Sequence, residues 1–346
     1  MFRVLKFTYV ISKRVKIMRK LLKIILVFVL CLFCGVGLIG CGKDDDTVLN
    51  IYMPDGAPAL AMSKLMSENK QFENGTNYTV VSAGNIGNYI INKTADIAIL
   101  PINMASKIIA DGKNYKICAT VTNGNLYIVG SQDISDLSGL TGSVIGVIGR
   151  NNVPTLNFKY LLNEADVPYE EVDSNEPIAN KVAIRYFDGA ADLLPLLKQN
   201  KLKFGLLPEP AVSKLLTMAT NFSIELDIQD LWEGGSYPQA VMVVRTSFAS
   251  DKDLINSILD EMRQVEDWVI SNPSDAVTAV NSHLAEGVVA SLQSSLSATA
   301  ISNCNIKIYD TSDASEIARM KSYLEKIRTV DSSAIGQYTD ASFCEL

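Results

Sequence analysis

Serine-based acyl transfer, metal-assisted hydrolysis and general acid–base catalysis each need particular side chains at particular spacings. This 346-residue chain supplies few of them. It contains no Gly-x-Ser-x-Gly elbow and no His-Glu-x-x-His pair. Its single histidine, His283, lies in a run with helical spacing, where a structural role is the ordinary one. Beyond residue 41 the cysteines are Cys118, Cys304 and Cys344, whose spacing fits no metal pattern. Cys304 and Cys344 can pair in an oxidising compartment, and all three can equally be buried thiols; Cys118 sits in an apolar, strand-like run. Gly142, Gly146 and Gly149 hint at a dinucleotide cradle, but they fall before and within a predicted strand rather than in the turn after it. No catalytic residue, metal or cofactor is therefore expected, and the chain reads as a non-enzyme.

What the sequence does offer is a set of polar turns that follow strand-like runs. They are Asp55-Gly56-Ala57, Asn85-Ile86-Gly87, Ile102-Asn103, Arg150-Asn151-Asn152, Asp188-Gly189 and Pro208-Glu209-Pro210. In open α/β sheets, ligands collect beyond the carboxyl ends of the strands, where helix N-termini expose unpaired amides and a partial positive charge. Gly56 permits close backbone approach, and the amides of Asn85 and Asn103 can both donate and accept. Arg150 beside a helix start suits an anion, whereas Asp55, Asp188 and Glu209 suit a ligand rich in donors. Acids outnumber bases in these turns, which favours a neutral or donor-bearing small molecule. Each turn residue also has a plain backbone reason to be there, and Asp188 can simply cap a helix. Glu209 is held between two prolines, a rigid setting for a carboxylate. Tyr127, Trp232 and Tyr237 can line a cleft as stacking surfaces or pack in a core.

The elements that must position these turns alternate. Strand patterns occupy 48–53, 78–82, 95–100, 117–121 and 126–129, then 143–148, 183–187, 204–207 and 240–245. Helical spacing marks 61–66, 86–92, 104–110, 156–162, 193–199, 254–270 and 314–327, with Pro273 ending the long helix that starts at 254. This is an α/β pattern in two similar series.

Charge separates the leader from the body. Of 31 Lys/Arg, eight fall in residues 1–40 alongside no acid, leaving 23 basic against 38 acidic groups in the rest. A body that acidic repels phosphate backbones, so nucleic acid is not an expected partner. The basic start is followed by an uncharged apolar run over 24–40, the layout of an export signal, with Met18 as an alternative start. The run ends Leu38-Ile39-Gly40-Cys41, followed by Gly42, Lys43 and three Asp, which resembles the bacterial lipobox. That implies diacylation of Cys41, a signal over 1–40 and a tether over 41–46. The competing reading is an uncleaved membrane anchor, since the run approaches spanning length; either way the body lies outside the cytoplasm.

Across the body, the segments Met53-Pro54-Asp55-Gly56-Ala57-Pro58, Ala95-Asp96-Ile97-Ala98-Ile99-Leu100-Pro101-Ile102-Asn103, Gly124-Asn125-Leu126-Tyr127, Gly205-Leu206-Leu207-Pro208-Glu209-Pro210 and Tyr237-Pro238-Gln239-Ala240 occur in that order. With Asn305-Ile306 and Ala334-Ile335-Gly336 in the tail, this order resembles the type II periplasmic-binding-protein family, in its nitrate/sulfonate/thiamine-precursor branch. The resemblance spans about residues 47–346. It implies an α/β fold of two lobes, each a mixed sheet flanked by helices, joined by two crossing strands. Lobe I would be 47–125 plus 245–346 and lobe II 128–240. It adds Asn125, Tyr127 and Gln239 to the expected ligand-binding residues. By function it implies a monomeric, extracytoplasmic solute-binding lipoprotein of an ABC importer. Such a protein captures a small polar molecule by hinge closure and delivers it to permease and ATPase subunits, while diacylglyceryl-Cys41 holds it at the membrane. A ligand-sensing lipoprotein that signals to a partner, or a secreted small-molecule enzyme, are the alternatives.

Overall fold

The computed structural model describes residues 48–346 apart from 73, 74 and 295; the basic leader, Cys41 and the tether lie outside the described residues. Twelve strands are described: β1 Leu49–Pro54, β2 Thr76–Val81, β3 Ile97–Pro101, β4 Tyr115–Asn123, β5 Leu126–Gly130, β6 Val144–Ile148, β7 Tyr169–Val172, β8 Val182–Phe187, β9 Phe204–Pro208, β10 Ser223–Asp227, β11 Pro238–Arg245 and β12 Ile306–Asp310. The described helices are α1 Ala57–Leu60, α2 Ser63–Ser67, α3 Ile86–Ile91, α4 Ile102–Ala110, α5 Val153–Glu164, α6 Ala190–Lys198, α7 Ala211–Met218, α8 Lys252–Arg263, α9 Val265–Ser271, α10 Pro273–Ser282, α11 Ala298–Asn303 and α12 Ala314–Arg328.

The strands form two mixed six-stranded sheets. Sheet A runs β12-β4-β11-β3-β1-β2 and sheet B runs β10-β5-β9-β6-β8-β7. In sheet A, β1 pairs in parallel with β2 and β3, while β11 is antiparallel to both β3 and β4. In sheet B, β6, β7, β8 and β9 run parallel, and β5 is antiparallel to β9. The chain changes sheet twice, through residues 124–125 between β4 and β5 and through residues 228–237 between β10 and β11.

The interior strands are apolar on both faces because helices cover both sides, as expected of parallel-rich sheets. Every residue of β5 is buried, and so are four of the five in each of β3, β6 and β9. Two strand glycines let one helix lie close. A Cβ at Gly146 in β6 would stand 2.3 Å from Leu193 Cδ1, and one at Gly205 in β9 would stand 2.8 Å from Leu197 Cδ1. Both leucines belong to α6. This accounts for Gly146 by packing, and the suggested phosphate cradle is not formed there.

Five elements differ from the sequence reading. The helix expected over 254–270 is two helices, α8 and α9, which meet at Gln264. Pro273 opens α10 at its first turn, where a missing N–H is harmless, rather than only ending the helix before it. Strands β7, β10 and β12 carry no clear sequence signal, and all three are sheet edges. The cysteine pairing also differs: Cys118 is bonded to Cys344, with Cα atoms 5.0 Å apart, and Cys304 is a buried free thiol. The tail is brought to β4 by an isolated parallel bridge between Ile117 and Phe343 and by the Cys344 amide, which donates to Ile117 O at 2.8 Å.

Candidate functional site between the two sheets

Strand polarity determines which turns meet. Since β1, β2 and β3 are parallel, the turns after them, at Asp55, Asn85 and Asn103, share one edge of sheet A. Strand β4 also ends there, because it and β3 are both antiparallel to β11. In sheet B, the parallel strands β6, β8 and β9 end at one edge, with Arg150, Asp188 and Glu209 beyond them, and β5 begins at that edge. Only residues 124 and 125 separate the end of β4 from the start of β5, so the two edges must adjoin. The carboxyl ends of two sheets therefore face each other, the placement at which open α/β folds bind ligands.

The two passages are tied side by side. Gln239 Nε2 donates to Asn125 Oδ1 at 2.6 Å, and the Gly124 amide donates to Tyr237 O at 2.9 Å. Gln229 closes the second tie: its Oε1 accepts from the Leu126 amide at 2.9 Å and its Nε2 donates to Leu126 O at 3.0 Å. A Cβ at Gly124 would lie 2.7 Å from the Tyr237 ring, so only glycine fits between the passages. Behind them Trp232, Tyr237 and Tyr323 pack together, with Tyr160 stacked on Trp232 at 4.8 Å between centroids. Trp232 and Tyr237 are buried in this aromatic cluster, a packing role rather than a stacking surface. Tyr127 is buried too.

Across the facing edges, Asn103 Nδ2 at the start of α4 donates to Asn151 O in the β6–α5 turn at 3.1 Å. Asn103 is 3% exposed, and among the described residues its Oδ1 has no hydrogen-bond partner. Asn151 adopts a left-handed backbone, φ 63°, which asparagine tolerates, and Asn152 is the residue before α5. At the β1 turn, Asp55 Oδ1 accepts from the Gly56 amide at 2.8 Å, and Oδ2 accepts from the Ser291 amide at 2.7 Å. Gly56 has φ 104°, and Ala57 is buried at the start of α1. Lys214 on α7 donates to Ser291 O at 2.9 Å, which links the second sheet's helices to the same loop. Sequence reasoning missed Ser291 and Lys214: Ser291 lies in an irregular segment, and nothing local marks Lys214.

Glu209 is 2% exposed. Its carboxylate caps α7, accepting from the Ser213 amide at 3.0 Å and the Ser213 hydroxyl at 2.9 Å, while its own amide donates to Asn125 O. Burial raises its pKa above the ordinary carboxylate value, and these hydrogen bonds offset only part of the rise. Arg150 points elsewhere. Its guanidinium is bonded to Glu171 at 2.6 Å and lies over the Tyr186 ring, 4.9 Å from the centroid. Burial alone would raise Glu171, but hydrogen bonds from Arg150 and Lys159 pull it down to about 2. Asn85 and Asp188 are exposed at the rim, Ile86 and Ile102 are buried beneath it, and Gly87 and Gly189 lie at helix starts.

A polar depression of about 380 Å³ lies at the other ends of β1 and β2, lined by Asn50, Asn77, Tyr78 and His283 among others. Its amides satisfy one another: Asn77 Nδ2 donates to Asn50 Oδ1 at 3.1 Å, and Asn50 Nδ2 donates to Asp96 Oδ2 at 3.2 Å. His283 follows α10 and its Nδ1 lies 2.7 Å from Ala279 O, a helix-ending contact that accounts for it structurally. Among the described residues, no cluster of three His, Cys, Asp or Glu could hold a metal ion, and no helix is long and apolar enough to cross a membrane.

No family model matches the chain, and no curated protein sequence does. Solved structures do. An ABC transporter protein from Parabacteroides distasonis matches with a TM-score of 0.69 at 19% identity, covering 86% of this chain and 98% of that one. The periplasmic aliphatic sulphonate binding protein SsuA from Escherichia coli gives 0.60 at 12% identity, covering 85% and 90%. The ligand binding component of an ABC-type import system from Staphylococcus aureus, with zinc bound, gives 0.59 at 13%, covering 86% and 96%. With the two sheets described above, these likenesses establish a two-lobed type II periplasmic-binding-protein fold.

Proposed function

We propose that this chain is the extracytoplasmic solute-binding component of an ABC importer, a binding protein and not an enzyme, which closes its two lobes on a small polar molecule. The lobes would be built on sheets A and B, close to the halves expected from the sequence but with all of β11 in the first lobe, and with the hinge in the paired passages at 124–125 and 228–237. The observation that carries the reading is the convergence of strand-end turns from both sheets. Asn103 reaches Asn151 across the gap, while its buried Oδ1 stays unpartnered among the described residues. Solved structures with this fold include the ligand binding component of an ABC-type import system and a periplasmic sulphonate binding protein, which agrees with this role. Ligand drives closure only by binding the closed arrangement more tightly than the open one. The closed form then docks on a permease, held near it by acylated Cys41.

A thermal-shift screen of the chain against anions, amino acids, pyrimidines and polyols tests this. A true ligand at about 100 times its Kd adds about 2.7 kcal/mol to the native state, and the melting temperature should rise by about 5 °C or more. Glu209→Ala and Asn103→Ala should each weaken that hit. Undiminished binding in both variants would place the site elsewhere. For the anchor, mass spectrometry of the native protein should find Cys41 acylated at the N-terminus, and an intact 19–40 leader would refute it.

A further inference from the structure

The groups that surround the interlobe site differ in what they have left to offer. Several basic side chains around the facing turns are already engaged: Arg150 and Lys159 by Glu171, Lys214 by Ser291 O, and Arg319, which donates to Asn123 at the end of β4, by Glu316. At α7, the amide end that could receive an anion is filled by the chain's own Glu209 carboxylate. Asp55 is likewise turned inward on two backbone amides. Two buried side-chain atoms at this edge of sheet A have no partner among the described residues: Thr122 Oγ1, near the end of β4, and Asn103 Oδ1, an acceptor on a residue 3% exposed, at the first turn of α4; of the two residues, Asn103 is the one bonded to the Asn151 turn. Its orientation is set by the other half of the same amide, whose Nδ2 donates to Asn151 O. A buried acceptor without a partner is costly, and a donor supplied by a ligand removes that cost.

We infer that the interlobe site takes an uncharged small molecule bearing an N–H or O–H group that donates to Asn103 Oδ1, and not an organic anion; this rests on the binding role proposed above. An anion attracted to the amides at the start of α4 would press its lone pairs against Oδ1. It would also lie near the carboxylates of Asp55 and Glu209, while Arg150 stays in its pair with Glu171. A neutral donor meets Oδ1 directly and leaves Arg150 in its pair with Glu171.

The test uses the full chain in detergent and calorimetric titration with two panels. One holds neutral donors (nicotinamide, benzamide, cytosine, 4-aminopyrimidine), and the other holds anions (nicotinate, benzoate, methanesulfonate, nitrate). The expected result is binding within the neutral panel, weakened at least tenfold in Asn103→Ala, with no anion binding comparably. Asn103→Ser, whose shorter hydroxyl cannot reach the same point, should show the same loss and provides the comparison if the alanine variant fails to fold by circular dichroism. If an anion is the tightest binder, or if a neutral binder is indifferent to both variants, the inference is overturned while a binding role stands. Silence from both panels counts against the binding role itself and removes the inference with it.

Discussion

Glu209 is the residue whose chemistry is most exposed to measurement. It is a carboxylate buried at a strand end, with its pKa raised by burial against the hydrogen bonds of Ser213 and Asn303. A raised folded-state value means that folding favours the protonated form. The contribution to stability is present below the ordinary value near 4.5 and is lost as pH climbs through the folded value. Glutamine keeps an oxygen for the Ser213 amide and carries no charge. Urea melts of Glu209→Gln and the parent chain should therefore diverge in the variant's favour as pH rises from 4 to 8. A constant difference would mean that Glu209 titrates normally. Glu171 behaves in the opposite sense. Lowered to about 2 by Arg150 and Lys159, it contributes stability above the ordinary carboxylate range that is lost as pH falls toward 2. At this scale the sequence put Asn103 and Glu209 just after strands, because strand, turn and helix start follow one another locally. It did not reveal that Arg150 is taken up by Glu171, a residue 21 positions away on an edge strand.

Elements were legible where they are buried and obscure where they are half wet. β3, β6 and β9 are short apolar runs ended by turn residues, and their positions follow from the sequence within a residue or two. β7 reads Tyr-Glu-Glu-Val and β10 reads Ser-Ile-Glu-Leu-Asp, and both are edges of sheet B. An edge strand has polar residues because one side meets water and must resist pairing with another chain, so its pattern fades into that of a loop. The Cys118–Cys344 bond was not legible for another reason: 226 residues separate the partners, and only the strand-like return of the tail beside β4 aligns them. A closed loop of that size should stabilise the fold by about 2–5 kcal/mol. Cys344→Ser, or a non-thiol reductant acting on the parent chain, should lower the melting temperature accordingly; equal melting with and without reductant would show that the bond is absent. Packing of the tail on α4 gives a second test. Gly336 lies so close to that helix that a Cβ would stand 2.3 Å from Ser106 O and 2.6 Å from Lys107 Cα, both backbone atoms. Gly336→Ala should cost about 1–3 kcal/mol by overpacking, measurable by denaturant melts, and a neutral substitution would mean that the tail is not seated there.

For the whole molecule, strand polarity does the organising. Two sheets present their carboxyl ends to each other because a two-residue passage after β4 leaves no other arrangement, and Gln239, Gln229 and Tyr237 bind the second passage to the first. α12, which follows β12 of sheet A, packs on α5, which follows β6 of sheet B: Tyr323 OH donates to Asn157 Oδ1 at 2.6 Å, a contact behind the passages. The alternation of elements in the sequence conveyed two α/β series and their order. It could not convey that residue 291 would close over Asp55, since irregular segments are positioned by what they pack against.

The most direct measurement is a crystal structure of the chain with a neutral ligand from the titration panel. That ligand should lie between the Asn103 and Asn151 turns, with one of its donors on Asn103 Oδ1. A ligand seated instead in the depression beside Asn50, Asn77 and His283, with the facing turns empty, would contradict that placement.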